Sequence, residues 1–111
     1  MNVVGVPPTV DATPSSKAYA ALYQARFKAV PDNQSSWAYD AMNILALAIG
    51  NAKSTEPEAI RTAILAIQGY DGAEGEYDFD QNGDGLHGYS VVQNQSGKIA
   101  FIKYVKFPKP S

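Results

Sequence analysis

The segment from Gly69 to Gly85 carries most of the chemistry that this sequence could offer, because oxygen ligands alternate along it. Their spacing matches the start of an EF-hand calcium loop, with ligands at positions one, three and five and a glycine, here Gly83, at position six. Position twelve, which requires a chelating glutamate, is instead Tyr89. The sequence therefore favours a structural turn without a metal over the alternative of a calcium-binding module. The ligands in that alternative are Asp78, Asp80, Asn82 and Asp84.

The same part of the chain could also supply acid and base groups for an enzyme. General acid–base catalysis needs a carboxyl group whose pKa is tuned by burial or by a neighbouring charge. Carboxylates crowded in a glycine-rich loop are expected to be solvated, and a single histidine beside a glycine turn is typical of a structural or exposed position. The sequence therefore predicts neither catalysis nor a cofactor. The candidates under the enzymatic hypothesis are Glu74, Glu76, Asp78, Asp80 and His87.

The composition is that of one ordinary globular domain. Of the 111 residues, 45% are hydrophobic and 18% are charged, which is typical of a folded chain rather than a disordered one. The formal net charge of −2 and the scattered lysines exclude the basic surface that nucleic acid requires. The absence of cysteine excludes disulfides and thiolate chemistry. The longest apolar run, residues 41–49, is too short to cross a bilayer.

Strands are predicted at the two ends of the chain. The β-branched residues at positions 3–6 predict a short strand, which Pro7 and Pro8 end. Residues 89–93 and 98–105 are rich in β-branched and aromatic side chains and are separated by a glycine-containing turn. This pattern predicts a β-hairpin.

Three helices are predicted between these strands. The first is expected to begin at residues 14–16 and to carry one apolar stripe. The second, from Ser35 or Ser36 to Gly50, is apolar on almost every side and is therefore expected to be mostly buried. The third follows a capping box at residues 55–58 that includes a proline in the first turn.

Five sequence motifs, taken in order, resemble the C-terminal third of one protein family. They are Trp37–Met42, Glu58–Arg61, Tyr70–Gly75, Phe79–Asp84 and the turn Ser96–Lys98. Together they span about residues 3–102 and are similar in order and separation to the periplasmic binding proteins of branched-chain amino-acid (Leu/Ile/Val-type) ABC transporters, which have the type I fold. A single one of these motifs would carry little weight, whereas their common order does.

This resemblance implies a receptor rather than a catalyst. Proteins of this type have two α/β lobes joined by three crossing segments, and they hold a solute in the cleft between the lobes. The implied function is the extracytoplasmic solute-binding component of an ABC importer for amino acids or related small carboxylates. The implied partners are a small-molecule solute and, through the full-length protein, a membrane permease. A signal peptide would then lie upstream of this chain.

The resemblance also implies how the chain is divided. Residues 1–12 would form a strand of the second lobe and a hinge crossing, and residues 13–82 would form helices and a short strand of the first lobe. Residues 83–107 would form the final crossing and a hairpin of the second lobe, and residues 108–111 a tail. The implied hinge residues are Pro7, Pro8, Gly83, Asp84 and Gly85.

The expected fold class is an α/β fragment: a strand, three α-helices and a C-terminal β-hairpin. A lobe of this fold needs a parallel sheet, and parallel strands need crossover units that this sequence does not contain. The apolar second helix would then lack a sheet to cover it. We therefore expect a homodimer or swapped oligomer, or completion by another chain, and no binding of ligand by this chain alone.

Candidate ligand contacts follow from the position of the loop before the second helix, which the resemblance places near the cleft. Gln34 could offer amide hydrogen bonds, and Trp37 could offer an apolar or stacking wall. The alternatives are a solvated loop residue for Gln34 and a core aromatic for Trp37. Asp40 is expected to cap or hydrogen-bond near the hinge and not to contact ligand.

Overall fold

Strands at the two ends of the chain and three helices between them make up the fold. The computed structural model of the protein describes residues 3–7, 9–86 and 88–108. The elements are β1 (Val3–Val6), α1 (Pro14–Phe27), α2 (Asn33–Ala52), α3 (Pro57–Leu65), β2 (Tyr70–Asp71), β3 (Glu76–Tyr77), β4 (Gly88–Gln95) and β5 (Lys98–Lys106). The predicted order of strand, three helices and hairpin is therefore confirmed. Pro8, His87 and residues 109–111, which include most of the predicted tail, lie outside the described residues.

The terminal strands form one antiparallel sheet in the order β1, β4, β5. Val4 pairs with Val92, so the first strand lies directly against the predicted hairpin. The hairpin turns at Ser96 and Gly97, whose φ angles of 52° and 82° are both positive. Two positive φ angles match the twist of the flanking strands, and the side chain of Asn94 accepts a hydrogen bond from the Gly97 N–H at 2.9 Å.

Helix α2 starts earlier and ends later than the sequence predicted. Its N-cap is Asp32, whose Oδ1 atom accepts the N–H of Ser35 at 2.8 Å, so the predicted start at Ser35 or Ser36 was wrong by two or three residues. Gly50 does not end the helix, since a glycine inside a helix costs only about 1 kcal/mol. The helix ends instead at Ala52, and its C-cap residue, Lys53, adopts the left-handed conformation.

The capping box predicted for α3 is absent. The N-cap of this helix is Glu56, and no side chain caps it. Pro57 occupies the first turn as predicted, because its missing N–H costs nothing there. The helix ends at Leu65, and its C-cap residue is Ala66, so the glycine at position 69 does not end it.

The apolar core is small and lies between α2, α3 and the segment that follows α3. Ile44, Ile67 and Tyr77 form its buried centre, and Ile64 and Phe79 pack against them. Only one stripe of α2, at intervals of four residues, is buried; its members are Ser36, Asp40, Ile44 and Ala48. The prediction that α2 is buried on most sides was therefore wrong for this chain. The exposed large side chains of α2 are Trp37, Tyr39, Met42, Leu45 and Leu47.

The overall dimensions show how much surface stays uncovered. The chain measures 51 × 38 × 18 Å, and its radius of gyration is 15.5 Å, whereas a compact domain of this length has a radius of roughly 13 Å. Its accessible surface is 7228 Å², about 1,300 Å² more than a folded monomer of this mass typically exposes. In the part of the chain that the structure describes, no helix is both long and apolar enough to span a membrane.

Candidate functional site

A groove of about 720 Å³ runs between α2 and the segment from Tyr77 to Tyr89. Its volume is in the range of small-molecule sites. The wall from α2 is apolar, whereas the opposite wall adds two carboxylates and a glycine turn. The α2 residues that line the groove are Trp37, Ala41, Ile44 and Leu45, and the principal residues opposite are Tyr77, Phe79, Asp80, Asp84, Gly85, Leu86 and Tyr89.

The two predicted ligand contacts occupy different places. Trp37 lies in the second turn of α2, lines the groove and is 45% exposed, so it is not a core aromatic. Gln34 lies in the first turn of the helix rather than in a loop, is exposed, and is not among the residues that line the groove. The helix therefore separates two side chains that the sequence placed together, and only Trp37 faces the groove.

The buried carboxylate of Asp40 joins α2 to the loop between β2 and β3. Asp40 is 1% exposed. Its Oδ1 atom accepts the N–H of Ala73 at 2.6 Å, and its Oδ2 atom accepts the N–H of Glu74 at 2.8 Å and the hydroxyl of Tyr77 at 2.9 Å. Three donors to one carboxylate compensate for its removal from water. Asp40 forms hydrogen bonds as expected, but its partners lie more than thirty positions along the chain and are not the predicted hinge residues.

Glu74 is the second buried carboxyl group of this loop. Its side chain is 2% exposed, and its Oε1 atom has no hydrogen-bond partner among the described residues. Burial, and to a smaller extent the charge of Asp40, raise the pKa of Glu74 to about 7. The expectation that this carboxylate is solvated was wrong, and no local pattern in the sequence signals its burial.

Tyr77 shares this environment. Burial and the Asp40 charge raise the pKa of its phenol well above the usual range, so it stays a neutral hydrogen-bond donor. Its ring stacks on Phe79 with the centroids 5.9 Å apart, and both rings line the groove. The buried cluster and the groove therefore share the side chain of Tyr77.

The aspartates of the predicted calcium loop accept hydrogen bonds from the backbone. Asp80 Oδ1 accepts the N–H groups of Asn82 and Asp84 at 2.8 and 3.1 Å. Asp78 Oδ1 accepts the N–H of Gly69 at 2.7 Å, and this bond is the main reason that the pKa of Asp78 is lowered. Within residues 3–7, 9–86 and 88–108, no three acidic or histidine side chains are grouped as metal ligands would be. The arrangement is that of a side-chain-stabilised turn.

Of the predicted hinge residues, Gly83 and Gly85 have backbone positions that favour glycine. Gly83 has a φ angle of 90°, which favours glycine. A Cβ atom on Gly85 would lie 2.8 Å from the rings of both Phe79 and Tyr77, so only glycine fits there. Asp84 N–H completes the turn through Asp80. Pro7 forms a bend, whereas Pro8 is not among the described residues.

The connection after β1 is hydrogen-bonded to β4. The N–H of Thr9 donates to Ser90 Oγ at 2.9 Å, and the two hydroxyl groups are 3.2 Å apart. A link between residues 81 positions apart brings the connection after β1 next to the start of β4.

The sequence matches the model of one protein family. That family is described as periplasmic binding protein, and the match covers residues 2–98. It therefore includes all three helices and most of the terminal sheet.

Solved structures that resemble this chain share its fold. A leucine-binding protein from Thermotoga maritima has a TM-score of 0.76 and 25% sequence identity, over 94% of this chain and 30% of that one. A branched-chain amino-acid transporter substrate-binding protein from Streptococcus pneumoniae, in complex with isoleucine, has a TM-score of 0.72 and 22% identity, over 94% and 29% of the two chains. A solute-binding protein of an ABC transporter from R. palustris, in complex with benzoate, has a TM-score of 0.75 and 13% identity, over 92% and 29%.

These similarities confirm the predicted fold class and the predicted absence of catalysis. The mixed α/β arrangement of this chain matches part of type I binding proteins, and the similar proteins are solute-binding proteins of ABC transporters rather than enzymes. This chain spans about 30% of the length of the structures that it matches.

Proposed function

This chain belongs to the periplasmic binding protein family, and on that premise we propose that it supplies part of the solute receptor of an ABC importer for amino acids or related small carboxylates. The observation that carries the proposal is the apolar groove beside the turn at Gly83 to Gly85. Leucine, isoleucine and benzoate, which the similar proteins bind or are named for, each combine a carboxylate with an apolar body. The groove suits the apolar body.

The charge of the groove indicates which part of the solute it holds. Its carboxylates, from Asp80 and Asp84, would repel the carboxylate of a solute. Trp37 and Leu45 instead present apolar surface, and a tryptophan wall is well suited to a branched or aromatic group. The solute carboxylate would be bound by residues elsewhere in the receptor. Gln34 is a second candidate contact at the edge of the same helix.

We assign the chain to two lobes, as the resemblance implied. Residues 1–12 and 83–107 contribute a strand, two crossings and a hairpin to one lobe, and residues 13–82 contribute the helices and short strands of the other. Two features support this division: β1 pairs with β4, and among the described residues β2 pairs with β3 and not with the terminal sheet. The hinge residues in this proposal are Pro7, Pro8, Gly83, Asp84 and Gly85. The full-length receptor would act outside the cytoplasm and deliver solute to a membrane permease.

The receptor function is tested with a chimera. In the leucine-binding protein from Thermotoga maritima, residues 3–106 of this chain replace the matching segment, and leucine, isoleucine and benzoate are titrated by calorimetry. We expect binding by the chimera and none by the 111-residue chain alone. Trp37→Ala should weaken binding by about 1–3 kcal/mol, which is roughly 5- to 150-fold. Gln34→Ala should weaken it by less, and the control Asn51→Ala, at the far end of α2, should have no effect. A folded chimera in which Trp37→Ala has no effect would overturn the proposal.

For the chain alone, we propose that a second copy covers the exposed face of α2. Met42 is 69% exposed and lies near Tyr39 and Leu45 on this face. The excess surface of about 1,300 Å² exceeds the roughly 800 Å² that each partner buries in a standard interface. Light scattering is expected to show a dimer, which Met42→Glu disrupts and Gln24→Glu, an exposed position on α1, does not. A compact wild-type monomer at micromolar concentration would exclude this assembly.

A further inference from the structure

Tyr89 brings an aromatic ring to the groove from the terminal sheet. It is the second residue of β4, where it pairs with Val105 of β5. Of the described residues that line the groove, it alone belongs to that sheet. Tyr89 is 49% exposed, so about half of its surface is open to a molecule that enters the groove.

A second ring holds Tyr89 in place from outside the groove. The ring of Phe107, which directly follows β5, has its centroid 5.8 Å from that of Tyr89 and is tilted by 58°. Two rings at this distance and angle attract each other. Tyrosine also has only two side-chain torsions to fix. The exposed part of Tyr89 is therefore a rigid surface, which loses little conformational freedom when a ligand packs on it.

The groove receives further aromatic surface from other elements. Trp37, on α2, is 45% exposed, so two half-exposed rings reach the groove from α2 and from β4. Phe79 is half-buried, and its ring stacks on Tyr77 with an angle of 22° between the ring planes. Both of these rings also line the groove. A solute in the groove is therefore surrounded by aromatic as well as aliphatic side chains.

These rings indicate which class of solute fits the groove best. An aliphatic group gains from the apolar area that it buries, whereas an aromatic ring gains this and an additional attraction to the rings around it. We propose that Tyr89 is a specificity-determining residue of the groove, and that together with Trp37 it favours solutes with an aromatic body over those with a branched aliphatic body. This inference rests on the proposed receptor function, because it names the class of solute that the same groove holds.

The test compares phenylalanine with leucine, which share the amino-acid head group and differ in the side chain. Both are titrated by calorimetry into the chimera described above, and the measured quantity is the ratio of the two affinities. Tyr89→Ala should shift this ratio against phenylalanine by about threefold to tenfold, which is the contribution of one aromatic pair. Tyr89→Phe, which keeps the ring and loses only the hydroxyl, should restore the ratio.

Further variants separate the ring of Tyr89 from its contribution to folding. Tyr89→Leu fills the position with an aliphatic side chain and should lower the ratio as Tyr89→Ala does. Phe107→Ala removes the ring that holds Tyr89 and should lower it by about twofold, since the ring of Tyr89 remains. The matched control is Ile102→Ala, an exposed apolar position on β5 that does not line the groove, and it should leave the ratio unchanged. Circular dichroism of each variant shows whether it is folded.

The possible outcomes distinguish this inference from the receptor function. Binding of both amino acids with a ratio that Tyr89→Ala and Tyr89→Leu do not change would overturn the inference and leave the receptor function standing. The same shift in Ile102→Ala as in Tyr89→Ala would also overturn it, because the effect would not arise at the groove. A folded chimera that binds leucine but not phenylalanine would exclude the preference for aromatic solutes, and one that binds neither would count against the receptor function and this inference together.

Discussion

Two sides of α2 reverse the usual distribution of polar and apolar side chains. On one side, Asp40 is buried and accepts two hydrogen bonds from the loop after β2 and one from Tyr77 on β3. On the other, Met42 and Leu45 are exposed to solvent. Burying a carboxylate requires nearby donors, whereas burying an apolar face requires only a partner of suitable shape. The chain therefore supplies from its own residues all three donors to the buried Asp40 carboxylate, and we call this group of Asp40, Ala73, Glu74 and Tyr77 the polar joint. The apolar face of α2 stays exposed and can pack against another surface.

The largest difference between the two sides of α2 is expected from substitution of Asp40. Asp40→Ala leaves two N–H groups and the Tyr77 hydroxyl buried without an acceptor, and we expect the free energy of unfolding to fall by about 3–5 kcal/mol. Urea denaturation followed by circular dichroism measures this loss. The control Asp71→Ala removes an exposed carboxylate on β2 and should change stability by less than about 0.5 kcal/mol. Equal effects of the two substitutions would show that the polar joint does not hold the loop.

Within the polar joint, the buried carboxyl group of Glu74 is expected to lower the free energy of unfolding when it ionises. Its pKa rises from 4.5 to about 7 on folding because of burial and the Asp40 charge. The folded state therefore favours the neutral carboxyl group: the stability that this group contributes is fully present below pH 4.5 and is lost as the pH rises to about 7.

Glu74→Gln removes this loss because the amide does not titrate. The variant should gain stability relative to the wild type as the pH rises from 4 to 8, by up to about 3 kcal/mol. Urea denaturation at pH 4, 6 and 8 measures the difference, and Glu58→Gln serves as an exposed control. A difference between Glu74→Gln and wild type that is the same at pH 4 and pH 8 would contradict the shifted pKa.

Alanine substitutions at two glycines compare the packing of the polar joint with that of the exposed part of α2. At Gly72, a Cβ atom would lie 2.6 Å from the Tyr77 ring and 2.8 Å from Asp40 Oδ2, so Gly72→Ala should cost about 1–3 kcal/mol. At Gly50, in α2, a Cβ atom would meet nothing within 4 Å, so Gly50→Ala should stabilise the helix by about 0.5–1 kcal/mol. Thermal unfolding of both variants should therefore give opposite signs, and the same sign in both would refute the contrast.

The parts of the fold that depend on neighbouring residues could be predicted from the sequence. Pro57 marks the first turn of α3 because proline lacks the N–H that this position does not use. The hairpin turn follows from Gly97, which accepts a positive φ angle. The start of α2 was misplaced because serine and aspartate are both good N-caps, and the earlier one, Asp32, is used.

The parts that depend on distant residues could not be predicted. Glu74 and Glu76 lie two positions apart in the same acidic loop, yet only Glu74 is buried, because its N–H reaches Asp40 across 34 positions. Hydrophobic spacing predicted the α2 helix but not its exposed face, because burial depends on what packs against the helix. The groove was also not predictable, since Trp37 and Tyr89 meet there from different parts of the chain.

The smallest effect on stability is expected from an ion pair between Lys106, on β5, and the carboxylates of Glu76 and Asp78. Lys106 Nζ lies 2.7 Å from Glu76 Oε1 and 3.5 Å from Asp78 Oδ2, and the side chains are partly exposed. Exposed ion pairs contribute about 0.2–1 kcal/mol, and salt screens them. Lys106→Gln should therefore lower the free energy of unfolding by that amount at low salt and by almost nothing in 1 M sodium chloride.

The matched control for this contact is Lys103→Gln, an exposed position on the same strand. It should leave stability unchanged at both salt concentrations, because removing a single solvated charge has little effect. If Lys103→Gln were equally costly, the effect would arise from the net charge of β5 rather than from the contact with Glu76. If the Lys106→Gln loss persisted in salt, the lysine would stabilise the sheet through packing of its aliphatic stem rather than through its charge.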